Sequence, residues 1–397
     1  MITKAQTPFL PSDVGYDERR LGVLNAHFER IIKAGHIQSA NYCISRYGKV
    51  FADAAVGMQS YLPDETRPLI TGNIRGVASV TKIFCATALF KLVEDGLIRC
   101  NQPAADILKE FDTPSYKDIT IAHLLSHTSG LSPDSGCFAD AYFKTAWDYI
   151  RTMKDTPWLE AGLSIGMYNK PGKEWAYCSF GFVILGEIIH RVTGMRAEAF
   201  ITKNIFEPCG MTDSGFWNYC PDQVEIDRRK RLADRLYIQC KEDEKEYNNW
   251  KDGVYPDDSS PFKDVPMTGG GMFSTTQDLN KFGVMLMNKG KTSEGVRIIG
   301  RKTVERMTEN YTTGEVRDNC WGAGGVYRMY ALGPDTRRTA DSLYSAGTFF
   351  HEGAGACCVL IDPVEQMVAS WFVPFATEQW YADALYNASA VMWSGLK

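Results

Sequence analysis

Strand-forming segments stand at the two ends of this chain, and most of what lies between reads as helix. That distribution limits the folds open to it. Near the N-terminus, Ala40–Arg46 and Val50–Val56 read as strands joined by a hairpin turn at Tyr47-Gly48-Lys49. Toward the C-terminus, Gly325–Leu332, Ala356–Asp362 and Met367–Val373 read as strands, the last two joined through Pro363-Val364-Glu365. Tyr16–Ala34 and about Thr377–Met392 are amphipathic helices. The pattern predicts an α+β protein with one antiparallel sheet built from residues 1–100 and 265–397 and covered on one face by the terminal helices. Residues 101–264 form a mostly helical subdomain beside it.

Within the middle, a short helix starts at Pro103, another runs over Thr120–Leu131 into a polar turn, and an apolar one runs from Phe180 to Gly194. Thr275 and Asp278 match a capping box opening a helix to about Asn288, and a further helix spans about Arg301–Asn310. Residues 221–264 are the most polar part, with Arg228-Arg229-Lys230-Arg231 and Lys241–Glu246. They read as a solvated excursion, with a lid over a cleft as the sharper alternative.

The net charge of −5 argues against a nucleic-acid partner. No segment approaches the roughly 20 apolar residues of a membrane span, and Met1–Pro11 lacks a signal-peptide run. The 11 cysteines are scattered and odd in number, with no zinc spacing, and read as reduced, buried thiols of a cytoplasmic protein. His123 and His127 stand at i, i+4, but the Glu of H-E-x-x-H and a nearby third ligand are missing. The expectation is a packed, hydrogen-bonded pair and no metal.

The chemistry centres on Gly76–Phe90. Gly76 breaks the chain, and Ala78–Val93 reads as an apolar helix closed by Gly96. Ser79 falls in its first turn, with Lys82 three residues on and on the same face. A serine hydroxyl needs a base, and a lysine in a partly dry site near a helix N-terminus can serve as one. Ser260-x-x-Lys263 and Ser394-x-x-Lys397 share the spacing, but one lies in a Pro-containing polar stretch and the other at the chain end; Ser79 opens a long apolar helix.

Ser79-Val80-Thr81-Lys82, Tyr177-Cys178-Ser179 and His351-Glu352-Gly353 follow in that order. So do Leu124–Leu131, Pro171-Gly172, Gly210–Ser214 and Gly269–Thr275. With these marks the chain resembles the serine β-lactamase and penicillin-binding-protein-like family, most closely its class C and family VIII carboxylesterase branch. The resemblance implies that Ser79 attacks an acyl carbonyl to form an acyl-enzyme, and that Lys82 and Tyr177 share the proton traffic. It further implies an oxyanion site made by the N–H groups of Ser79 and Ala354. His351, Gly353, Ser179 and Trp321 join the substrate-binding set, with cleft walls from residues 130–170 and 215–265 and from Trp321-Gly322. Tyr247-x-Asn249 is a rival for the tyrosine motif but lies in the charged excursion.

Two departures bear on the substrate. Ser179 replaces the usual Asn of Tyr-x-Asn, and His351 stands where lactamases and transpeptidases carry the lysine of Lys-Thr-Gly. Both weaken the case for a β-lactam or a peptidoglycan peptide and suit an uncharged ester. The expectation is a serine hydrolase of carboxylic esters with small to medium acyl groups. An acyltransferase, a D-aminopeptidase or amide hydrolase, a weak β-lactamase and a non-turnover binding protein are the alternatives. The expected partner is a small acyl substrate, with no cofactor, nucleic acid or membrane; the oligomeric state stays open.

Overall fold

The computed structural model describes residues 1–137, 144–254, 260–355, 357–374 and 381–397. Its main sheet comprises β1 (Ile2–Lys4), β2 (Ala40–Arg46), β3 (Lys49–Val56), β4 (Phe349–Gly353), β5 (Cys357–Asp362) and β6 (Met367–Phe372). The spatial order is β1-β3-β2-β6-β5-β4, antiparallel throughout. The two ends of the chain meet where β6 pairs with β2, Trp371 opposite Tyr42 and Ala369 opposite Ile44. Tyr47 (φ 56°) and Gly48 (φ 72°) carry the two positive φ values that let a two-residue hairpin loop match the strand twist.

The accompanying helices are α1 (Arg19–Lys33), α2 (Thr81–Glu94), α3 (Ser179–Thr193), α4 (Gln223–Leu232), α5 (Lys241–Asp252), α6 (Thr276–Met287), α7 (Arg301–Thr308) and α8 (Ala388–Trp393). Alternation along the strands sends side chains to two cores. Cys358 and Leu360 of β5 join Tyr42, Ile44 and Trp371 against Leu24, Phe28 and Ile31 of α1 and Met392 and Trp393 of α8. Val359 and Ile361 face the other way, into the cluster that holds Phe84 of α2 and Phe282 of α6. Their rings stack at 3.8 Å. Helix α2 is buried on nearly every side, as a helix apolar all round must be. Helix α6 packs on β2, β5 and β6 of the sheet, and α2 meets α6 through that ring stack and packs along α3.

The structure departs from the sequence expectations in five places. Ala78–Val80 form a 3-10 turn, and α2 begins only at Thr81. The capping box before α6 is half made: the Thr275 hydroxyl accepts from the Asp278 N–H at 3.1 Å, while the Asp278 carboxylate turns to the Asp213 N–H and the Ser214 hydroxyl. The polar stretch is a folded helical pair, not a loose excursion. Arg229 of α4 is buried and donates to the carbonyls of Phe216, Trp217 and Tyr219. Leu232, Leu236 and Trp250 close a small core over Ile74 and Phe273. Most of its other charges are exposed or half-exposed, which is why composition alone suggested a solvated excursion. The strand expected over Gly325–Leu332 is reduced to Val326–Tyr327. The last helix enters through a π-helical turn at Tyr381–Asn387 before α8. Residues 255–259 of the polar stretch, Ala356, and 377–380 of the last helix lie outside the described residues. No helix among the described residues is long and apolar enough to cross a membrane.

Gly283 sets how closely α6 approaches the sheet: a Cβ there would stand 2.5 Å from Val368 Cγ1 of β6. Valine at 283 gains roughly 0.5 kcal/mol of helix propensity, but overpacking a fixed β-branched neighbour costs about 1–3 kcal/mol. The clash wins, and Gly283→Val lowers the denaturant midpoint in equilibrium unfolding; an unchanged or raised midpoint contradicts the packing described.

Candidate active site

Ser79 sits on a turn fastened from three sides. The Val77 N–H donates to the Met272 carbonyl at 2.9 Å, and the Thr81 hydroxyl donates to the Ala78 carbonyl while accepting from the Met272 N–H. The Cys357 thiol donates to the Val77 carbonyl at 3.0 Å. These ties hold Ala78 at φ 42°, a left-handed backbone that a residue with a Cβ rarely adopts. Gly353 at the end of β4 packs on the same turn, where a Cβ would stand 2.3 Å from the Val77 carbonyl oxygen. Only glycine lets the strand approach this closely, which brings Ala354 to the mouth of the cavity beside Ser79. In a first turn the Ser79 N–H has no helical partner.

Lys82 points inward from the first turn of α2 and is fully buried. Its Nζ lies 3.0 Å from Ser79 Oγ, 3.0 Å from Ser179 Oγ and 2.5 Å from the Gly269 carbonyl. Gly269 reaches the site because it has no side chain: a Cβ would meet the Ser179 carbonyl at 2.8 Å. Burial penalises the ammonium form and pulls Lys82 down to about 8, against the opposing pull of the Asp134 carboxylate. The amine also lies 4.8 Å from the Tyr177 ring centroid and 5.6 Å from that of Phe182.

Tyr177 stands two residues before α3, and its side chain lines the same cavity as Ser79. Burial pushes this phenol well above its usual value, so it stays protonated. Its ring lies on the His127 imidazole at 4.3 Å. His127 is itself held at φ 57°, and its Nδ1 accepts from the Cys178 N–H at 3.0 Å. The two histidines of the i, i+4 pair thus have separate duties, since His123 Nδ1 accepts from the Thr120 N–H.

Behind Lys82 lies a group that sequence spacing did not single out. Asp134 accepts from the Ser179 N–H at 2.7 Å and from the Ser179 hydroxyl at 2.6 Å. Ser179, expected among the substrate-binding residues, uses its hydroxyl between Asp134 and Lys82. His351 is buried at the far side of the cavity, its Nδ1 2.8 Å from the Glu352 carbonyl and its Nε2 3.3 Å from the Tyr330 hydroxyl. A carbonyl only accepts, so Nδ1 carries the proton. Burial, aided by the Lys82 charge, pushes the ring down to about 3 and keeps it neutral.

Ser79, Tyr177, His351, Gly353 and Ala354 line one cavity of about 800 Å³. Trp147 and Trp321 form its aromatic wall. Trp321 is the more exposed of the two, with its ring 5.4 Å from that of Tyr177. Among the described residues of the 215–265 segment, expected as a wall, none joins this lining, because its helices pack over Ile74 and Phe273 instead. The opposite wall is charged but paired: Arg328 bridges Asp318 and Asp335, and Arg337 reaches Asp335 and Glu352. Sequence reading missed Asp134, which is 45 residues from Ser179, and this network, whose members follow no helical or strand spacing.

The chain is similar to known proteins in sequence and in fold. The family described as Beta-lactamase matches residues 24–389. Penicillin-binding protein 4* of Bacillus subtilis is 31% identical over 165 residues, 41% of this chain and 35% of that protein. The lovastatin esterase of Penicillium rubens is 29% identical over 230 residues, 53% of this chain and 56% of that enzyme. The aligned part is therefore about a third of the first relative's length and about half of the second's. A family VIII carboxylesterase of known structure superposes with a TM-score of 0.66 at 20% identity, over 95% of this chain and 98% of that one. The chain belongs to the β-lactamase family, a superfamily of serine hydrolases.

Proposed function

We propose that this protein cleaves carboxylic esters of small to medium acyl groups through an acyl-Ser79 intermediate. The observation that carries the reading is the Lys82 amine, sealed from water, brought down to about 8 and 3.0 Å from the Ser79 hydroxyl. A base with that value is partly neutral at neutral pH, which suits general-base work. As Ser79 Oγ bonds to the acyl carbon, its proton passes to Lys82. The oxyanion is met by the Ser79 and Ala354 N–H groups. The C–O bond to the alcohol then breaks, and the proton returns from Lys82 through the Tyr177 hydroxyl to the leaving oxygen. Water then attacks the acyl carbon and gives a proton to Lys82; the bond to Ser79 Oγ breaks as Lys82 returns that proton to Oγ, releasing the acid and free Ser79. Tyr177 acts here as a neutral relay, since its phenol stays protonated.

The preference for an uncharged substrate rests on the cavity's charge. His351 is neutral, and the two wall guanidiniums face three carboxylates, Asp318, Asp335 and Glu352. A β-lactam or stem-peptide carboxylate entering here meets no uncompensated cation among the described residues of that wall. Transfer of the acyl group to an alcohol or amine is the second reading, favoured by a cavity of about 800 Å³, which leaves room for an acceptor beside a small acyl chain. An acyl-enzyme that partitions to an added amine rather than to water selects it.

The first test is intact-protein mass spectrometry with a short-chain p-nitrophenyl ester and with a penicillin. Rapid ester turnover, no stable penicillin adduct and no turnover in a folded Ser79→Ala variant are expected. A lasting penicilloyl adduct with slow ester turnover overturns the ester preference, and an active Ser79→Ala overturns the nucleophile. For pH, kcat/KM is expected to rise as the Lys82 ammonium loses its proton, with a limb near 8; a flat profile between pH 6 and 9, if chemistry limits the rate, removes Lys82 as the base. Tyr177→Phe should lose about 10²–10⁴-fold in kcat, and near-wild-type rates in that variant move the relay elsewhere.

A further inference from the structure

We infer that Asp134 is a positioning residue for the base: by taking the only proton of the Ser179 hydroxyl, it leaves the lone pair of neutral Lys82 facing Ser79. This rests on the reading of Lys82 as base and deepens it. A carboxylate only accepts hydrogen bonds. Ser179 Oγ lies 2.6 Å from Asp134 Oδ2, so its single hydrogen points there. The second carboxylate oxygen takes the Ser179 N–H at 2.7 Å and fixes the pair in one orientation. Ser179 Oγ therefore offers Lys82, at 3.0 Å, lone pairs only. The Gly269 carbonyl also only accepts.

A neutral amine has two hydrogens and one lone pair. Ser179 Oγ and the Gly269 carbonyl take the two hydrogens. The third direction, toward Ser79 Oγ at 3.0 Å, receives the lone pair. Ser79 then donates to Lys82, the arrangement from which its proton leaves. Without Asp134 the Ser179 hydroxyl is free to rotate and donate to that lone pair, and the base is occupied by the wrong serine.

The carboxylate has a second effect that a scaffold residue lacks. Among the described residues, the titratable groups around Lys82 are Asp134, Cys85, Tyr177, Cys178, His127 and His351. Burial keeps both thiols and the phenol protonated and both imidazoles neutral. Asp134 is thus the anion that holds Lys82 up. Its removal lowers the value further, so the pH limb moves to lower pH even as the plateau falls.

The test is a double-mutant cycle on purified full-length protein, with pH profiles of p-nitrophenyl ester hydrolysis and thermal unfolding to verify the fold. Asp134→Ala is expected to lose about 10–100-fold in kcat, with little change in KM and a limb displaced to lower pH. In a Ser179→Ala background, with no hydroxyl to misdirect, the same substitution should cost less than about threefold. Asp134→Asn, which keeps an acceptor oxygen but no charge, should displace the limb with a smaller plateau loss; it carries the test if the alanine variant does not fold. Equal losses in both backgrounds, or an unmoved limb in Asp134→Asn, overturn the inference. If Ser79→Ala is as active as the wild type, or the wild type turns over no ester, the proposed function has failed instead.

Discussion

The structure turns on one buried amine. An ammonium group removed from water is expensive unless acceptors meet it, and three do: the Ser79 and Ser179 hydroxyls and the Gly269 carbonyl. Each comes from a different part of the chain. Ser79 belongs to the turn before α2, Ser179 opens α3, and Gly269 belongs to the glycine turn before α6. Satisfying Lys82 fixes how these three segments meet, and the same arrangement leaves the amine close enough to neutrality to take a proton. Stability and chemistry here make opposite demands on one group, and the carboxylate behind Ser179 lies between them.

The rest of the scaffold can be read as what brings those segments together. Glycines stand where segments press closest: Gly353 on the Val77 carbonyl, Gly269 on the Ser179 carbonyl, Gly283 on the Val368 side chain of the sheet. The positive φ at Ala78 and at His127 shows where the chain is bent by its surroundings rather than by its own preference. Both residues flank groups of the site, Ala78 preceding Ser79 and His127 lying under the Tyr177 ring.

Much of this was legible in the residues. The hairpin at Tyr47-Gly48, the sheet shared by both ends, the α3 helix closed by Gly194 and the ordered motifs around Ser79, Tyr177 and His351 were read from local pattern and family likeness. Local pattern failed where distant contacts decide. Arg229 reads as one more surface charge until three carbonyls are seen to surround it. Asp134 is 45 residues from Ser179, and nothing in that spacing announces a bidentate contact. Ser179 read as a lost substrate amide; with Asp134 beside it, the pair instead supplies an oriented acceptor to Lys82.

The central pairing of the sheet carries a consequence for how the molecule comes into being. The Ser370 hydroxyl of β6 reaches the Cys43 carbonyl of β2 across 327 residues of chain. Closing so long a loop is among the slower acts of folding. During synthesis the β2–β3 hairpin is made before β4, β5 and β6, and the edge of β2 that pairs with β6 stays open until they follow. Helix α2 itself draws on contacts far along the chain, Lys82 with the Gly269 carbonyl and Phe84 with the Phe282 ring, so its packing also waits for later segments. The active site cannot be complete before those strands are made, because Gly353 and Ala354 reach the Ser79 cavity from the end of β4.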